Sequence, residues 1–252
     1  MNRGNHCIRL YLGMLLSVLL ASLFFSGLYC FNNKYTQHTT QPISGLLILS
    51  ETDMEQHPSR YLWHDWAYYP NVLLTPADFQ DGSPDRYMTY VNLQSGNRMD
   101  LSGQSDQARF GCGTYLLRIQ VPNTHISYSL DMPEVFSAYR LYINGNPALS
   151  IGNPDPDHYQ DATGSRLVTF FPDENGRITI LIAVSNQSYF YSGMTFPPAF
   201  GTPQALNYTR GIRLGLRLCT IFMFQIAILV CGYFWFRTRH KNAALLALLC
   251  LL

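Results

Sequence analysis

The sequence predicts an all-β sandwich of the jelly-roll kind, flanked by transmembrane α-helices. Three observations carry that prediction. Short stretches between residues 45 and 205 alternate apolar and polar residues with period two, the pattern of half-buried strands. Turn pairs separate them at regular intervals: Pro122-Asn123, Asn144-Gly145, Asn153-Pro154 and Asn175-Gly176. The long uncharged blocks sit near the two ends, and no stretch between them shows a 3.6-residue period.

Taken in order, residues 1–31 read as a cytoplasmic N-terminus and a signal-anchor helix. Leu10 to Phe31 carries no charge and is long enough for a bilayer core of about 30 Å. Arg3 and Arg9 precede it, which places the N-terminus in the cytoplasm by the positive-inside bias. A cleaved signal peptide is the alternative, but Phe24, Phe25, Leu28 and Tyr29 crowd the region where a small-residue cleavage site would lie. Tyr29 before Cys30 is also too large for a lipoprotein site. Residues 32–44 form a polar tether.

Residues 45–205 form the β domain. Leu46 to Leu49 reads as a first strand, and Arg60 to Tyr69 as one strongly aromatic strand whose Trp63, Trp66 and Tyr68 fill core or close a sheet edge. A helical turn is expected at Thr75-Pro76, and a short strand over Tyr87 to Val91. Leu101 to Gly113 is a polar, Gly-rich connection able to shape a ligand mouth. Tyr115, Leu117, Ile119 and Val121 then share one strand face, as do Ile126, Tyr128 and Leu130. In Ala138 to Ile143, Tyr139, Leu141 and Ile143 alternate with Ala138, Arg140 and Tyr142. Asn144-Gly145 follows, and its tolerance of positive φ predicts a type I′ hairpin returning through Ala148 to Ile151. Arg166 to Phe171 is a further strand. Arg177 to Val184 is apolar on both faces and should be central.

Residues 213–236 read as a second transmembrane helix, with Arg217 snorkelling at one interface and Tyr233 and Trp235 at the other. Residues 237–242 form a basic cytoplasmic loop. Residues 243–252 are apolar but too few to cross a bilayer; they read as the start of a further helix, or as a short tail on the membrane. The β domain is therefore expected outside the cytoplasm, at the inner or plasma membrane. A net charge of +1 gives no case for nucleic-acid binding. Of six cysteines only Cys112 lies well inside the β domain, so no disulfide framework holds it.

Four blocks, in order, resemble bacterial seven-transmembrane receptors with diverse intracellular signalling modules: Leu62 to Phe79, Gly113 to Pro122, Ser137 to Pro154 and Ile180 to Met194. The run RGIRLGLRL before the second apolar block is similar to the approach to their seven-helix region. The resemblance implies a galactose-binding-like sensor domain, whose signalling output would lie beyond residue 252. Non-enzymatic sensing of a small molecule or carbohydrate is the expectation, with the bilayer as a partner and a homodimer compatible with it. A non-switching, membrane-anchored carbohydrate-binding or assembly module is the alternative.

Candidate ligand contacts are Arg118, Arg140, Tyr142 and Asn186. Arginine offers a planar set of donors and a neighbouring aromatic an apolar wall; a structural Arg on the outer sheet face and a turn-organising Asn are the competing reading. Asp155 and Asp157 in the Asn153 to His158 run are candidate Ca²⁺ ligands, although two prolines explain the run as an exposed turn. No cofactor is expected. His64-Asp65 invites a catalytic reading, which strand geometry opposes because neighbours in a strand face opposite ways.

Overall fold

The structure, a computed structural model, describes residues 3–32, 39–93, 110–191 and 193–238. The chain divides into two compact units, Met1–Gly201 and Thr202–Leu252. The expected loop over residues 101–109, the basic loop beyond residue 238 and the apolar residues 243–252 fall outside the described residues.

Unit one begins with helix α1, Arg3–Asn32. The β body follows: β1 (Leu46–Ile48), helix α2 (Glu51–Gln56), β2 (Ser59–Tyr61), β3 (Trp66–Pro70), a 3₁₀ turn (Pro76–Phe79), β4 (Thr89–Val91), β5 (Gly111–Gln120), β6 (Tyr128–Met132), β7 (Ala138–Ile143), β8 (Asn146–Ile151), a 3₁₀ turn (Pro156–His158), β9 (Arg166–Phe170), β10 (Arg177–Asn186) and β11 (Ala199–Gly201). The larger sheet runs β4-β3-β5-β10-β7-β8, with β1 added in parallel to β5 beyond the end of β3. The smaller sheet runs β2-β11-β6-β9 and is antiparallel throughout.

The alternation in the sequence decides which side chains meet between the sheets. Leu117 and Ile119 of β5, Ile180 and Ile182 of β10, and Tyr139 and Leu141 of β7 face inward from the large sheet. Tyr128, Leu130 and Phe200 face them from the small one, with the Tyr128 and Phe200 rings stacked at 5.5 Å. Burying each such side chain contributes about 1.5–3 kcal/mol, so this layer dominates stability. β10 is central, as its apolar faces require, between β5 and β7. Asn144 and Gly145 hold φ of 50° and 81°, the paired positive values a type I′ turn demands.

Several expectations change. Among the described residues the body has seven strands in one sheet and four in the other, with one parallel pair, which departs from a regular eight-stranded, all-antiparallel jelly roll. The aromatic stretch Arg60 to Tyr69 is two strands in different sheets. Asp65 takes φ 47°, its amide donates to Asn92 Oδ1 at 3.0 Å, and Trp66 Nε1 donates back to the Leu62 carbonyl at 2.9 Å. That kink carries the chain from one layer to the other, with Trp66 and Tyr68 in the core as expected. Ile126 lies outside β6 and is exposed; Met132 takes the third inward position after Tyr128 and Leu130. Helix α2 was not expected. Its signal is Ser50-Glu51-Thr52-Asp53, a capping box in which the Asp53 amide donates to Ser50 Oγ at 3.1 Å and the Ser50 amide to Asp53 Oδ2 at 3.0 Å. Buried Arg60 closes the other end of α2, donating to the Asp53 and His57 carbonyls at 2.9 and 3.1 Å.

Unit two holds helix α3, Pro203–Thr238. Thr202 caps it: its carbonyl accepts from Leu206 N at 3.1 Å and its hydroxyl from Ala205 N at 3.4 Å. Among the described residues, Pro203–Val230 is long and apolar enough to cross a membrane; the described apolar stretch of α1, Leu19–Cys30, is shorter.

Candidate functional site

The outer face of the large sheet carries an open cleft of about 370 Å³. Its floor is the cross-strand pair Leu116 and Leu181, alternating outward where Leu117 and Ile180 alternate inward. One pair further along, Arg118 of β5 faces Thr179 of β10. Pro76 and Phe79 of the first 3₁₀ turn form a wall, and the Phe79 ring meets the Tyr69 edge at 5.8 Å. That turn is anchored twice. Asp78 Oδ2 accepts from the Thr75 amide and hydroxyl at 2.7 and 2.8 Å. Thr114, fully buried, accepts from Leu74 N and donates to the Val72 carbonyl, both at 2.8 Å.

The opposite rim is the hairpin turn. Asn144 Oδ1 accepts from Thr179 N at 2.8 Å and its Nδ2 donates to the Phe171 carbonyl at 3.1 Å, so both ends of its amide help hold the rim. Asp173 completes the lining. Its Oδ1 accepts from the Asn175 and Arg177 amides at 2.9 and 2.7 Å, which closes the turn before β10 and leaves Oδ2 outside that pair of bonds. The Arg118 guanidinium makes no hydrogen bond or ion pair with the described residues. Its positive charge is felt by Tyr69, whose phenol burial pushes up and Arg118 partly restrains. The cleft thus offers an apolar floor, an aromatic edge, one uncommitted cation and one half-committed carboxylate.

Of the four residues singled out by sequence, Arg118 lines this cleft. Tyr142 is the β7 partner of Leu181 and packs beside the floor. Arg140 shares that outer face one pair further on, opposite Ala183, where its Nη2 donates to Asn153 Oδ1 at 2.7 Å. Asn186 does not join them. It follows Ile182 and Val184 in phase on the inner side and is fully buried, and its side chain closes a turn through Tyr189 N at 3.0 Å and Tyr189 O at 2.8 Å. Sequence reading missed Phe79, Asn144, Asp173 and Thr179 as cleft residues. Asn144 was visible only as a turn former and Asp173 was not singled out, and no sequence signal tells which side of a sheet a turn overhangs.

Asp155 caps the second 3₁₀ turn, accepting from the Asp157 amide at 3.1 Å, and its Oδ2 lies 3.6 Å from His158 Nδ1. Among the described residues no three His, Cys, Asp or Glu side chains gather as metal ligands would. His64 and Asp65 do not face opposite ways, because the positive φ of Asp65 breaks strand alternation: His64 Nδ1 and Asp65 Oδ1 stand 3.6 Å apart. Both are tied to the tether, with His64 Nδ1 3.2 Å from the Pro42 carbonyl and Asp65 Oδ2 accepting from the Ser44 amide at 3.2 Å. Cys112 is a free, partly buried thiol that burial pushes up from its usual range, the reverse of an activated nucleophile.

No family model matches the chain, and no curated protein matches it. Among solved structures, a β-galacturonidase from Eisenbergiella tayi matches at 11% identity with a TM-score of 0.39, over 57% of this chain. A β-glucuronidase from Ruminococcus gnavus matches at 11% identity with a TM-score of 0.41, and one from an uncultured Clostridium species at 15% with 0.40, each over 57% of this chain. The chain spans only 24% of the galacturonidase and 29% of each glucuronidase.

Proposed function

We propose that this chain is the ligand-sensing part of a membrane signal-transduction receptor, with its β-sandwich, a variant galactose-binding-like jelly roll, on the outer side of the bilayer. The reading rests above all on the link between the β body and the helix. β11 lies inside the small sheet, bonded to β2 on one side and β6 on the other, and only Thr202 separates it from α3. The chain thus runs from a strand held on both edges directly into the helix that, among the described residues, is apolar enough to cross a membrane. A ligand preferring one packing of the sheets would shift the population by its difference in affinity between the two states. The chain itself would bind and couple, and perform no reaction.

Topology tests this. In a background with the natural cysteines replaced, Asn175→Cys should react with a membrane-impermeant maleimide added to cells whose outer envelope is opened. Thr238→Cys should react only after the inner membrane is permeabilised. Reaction of Thr238→Cys first, or of both together in intact membranes, overturns the reading.

A further inference from the structure

The geometry points to a specific ligand chemistry for the outer-face cleft: a small organic carboxylate whose apolar body lies on Leu116 and Leu181 and whose hydroxyl or ammonium group donates to Asp173. This rests on the ligand-binding reading above and names the class of molecule the cleft takes.

Four features carry it. Among the described residues Arg118 is the only cation lining the cleft, and no described residue uses its donors. A guanidinium presents a planar fork that matches a carboxylate in two parallel bonds. Arg118 is exposed on the outer face, opposite Leu46 of β1 and Thr179 of β10 in register, and Leu116 precedes it on the same face. Secondly, Asp173 is held rigid by two backbone amides on one oxygen, so its other oxygen is an acceptor in a fixed place. Thirdly, Arg118 and Asp173 line the same cleft without forming an ion pair, so a molecule between them can satisfy both. One cation against one anion among the described lining residues also leaves the cleft without a net charge, which favours a ligand carrying both an acid and a donor over a phosphate dianion. Finally, the volume falls within the ordinary range for small-molecule sites, and the floor on the side of Arg118 away from Asp173 is aliphatic with an aromatic edge.

The test uses the full chain in detergent or nanodiscs and ligand-observed saturation-transfer NMR. The probes are mandelate with mandelamide, and phenylacetate. Mandelate should bind, with affinity about tenfold or more above its amide, since a charge-assisted bond is at stake. Phenylacetate, lacking the hydroxyl, should bind more weakly than mandelate. Arg118→Gln should remove the preference for acid over amide, and Arg118→Lys should restore part of it. Asp173→Asn keeps the turn-closing oxygen and should narrow the gap between mandelate and phenylacetate. Equal binding of acid and amide, an unchanged preference in Arg118→Gln, or silence from both acids overturns the inference. Amide binding at this face with no role for Arg118 would sink the carboxylate while leaving a ligand-binding domain standing; a reversed topology in the maleimide test would do the opposite.

Discussion

The two faces of the large sheet are built from the same strands and differ in what covers them. On the inner face the small sheet supplies a complete second layer, and Leu117, Ile119, Ile180 and Ile182 are sealed. On the outer face, among the described residues, the segment Val72 to Phe79 packs against Leu116 and Leu181, and its Pro76 and Phe79 line an open cleft with Arg118 and Thr179. A whole sheet can satisfy its own backbone and exclude water along its length. One segment must be pinned by side chains such as Thr114, and it leaves a cleft where it ends. The contrast shows how one period-two pattern serves stability on one side and recognition on the other.

The largest break in that comparison should come from inside. Leu117→Ala leaves a sealed cavity and should cost about 4 kcal/mol, read as a fall in the thermal midpoint of the full chain. Alkali probes the same layer. Burial pushes the Tyr115 and Tyr139 phenols up from 10.0 to about 12, more than the Met194 amide near Tyr115 or the charge of Arg166 near Tyr139 offsets. A raised folded pKa adds stability that is whole below pH 10 and is lost as pH climbs through about 12. A shift of that size is worth about 2–3 kcal/mol. Tyr115→Phe should therefore move the alkaline unfolding midpoint upward, and an unchanged midpoint would show the ring to be solvated.

Outer-face changes should be milder. Leu181→Ala opens onto the cleft, where water and the covering segment can relax, and should cost about 2 kcal/mol, the low end for such a truncation; a loss equal to that of Leu117→Ala would erase the distinction. Thr114→Val removes the two bonds from Thr114 to the segment and leaves the Asp78 anchor, at a cost of about 1–2 kcal/mol, and hydrogen exchange at the Leu74 amide should accelerate well beyond that at Ile180. Smallest of all, Arg118→Gln should leave stability within about 0.5 kcal/mol, because no described residue depends on its guanidinium.

Much of this was legible in the residues alone. Alternation in Ala138 to Ile143 set Tyr139, Leu141 and Ile143 on one face, which is the buried one, and the two apolar faces of Arg177 to Val184 marked it as the central strand it is. Asn144-Gly145 named its turn, because few residues tolerate the paired positive φ it adopts. Ser50 to Asp53 announced a helix start that a search for long 3.6-residue periods passes over, six residues being too short to show one. Arg60 to Tyr69 misled because aromatic richness says that residues are buried, not in which sheet.

The chain's local order thus determined its strands, its turns, the sealed side of each strand and the apolar run of α3, since these follow from backbone sterics and side-chain hydropathy over a few neighbours. Tertiary structure alone decided the rest. Strand pairing set Arg118 beside Thr179 across 61 positions of sequence, put Asn186 on the opposite face from Arg140, and brought Phe79, Asn144 and Asp173 around one opening. Those meetings depend on register between distant strands and on where a covering segment ends, and both are settled by how the whole body packs.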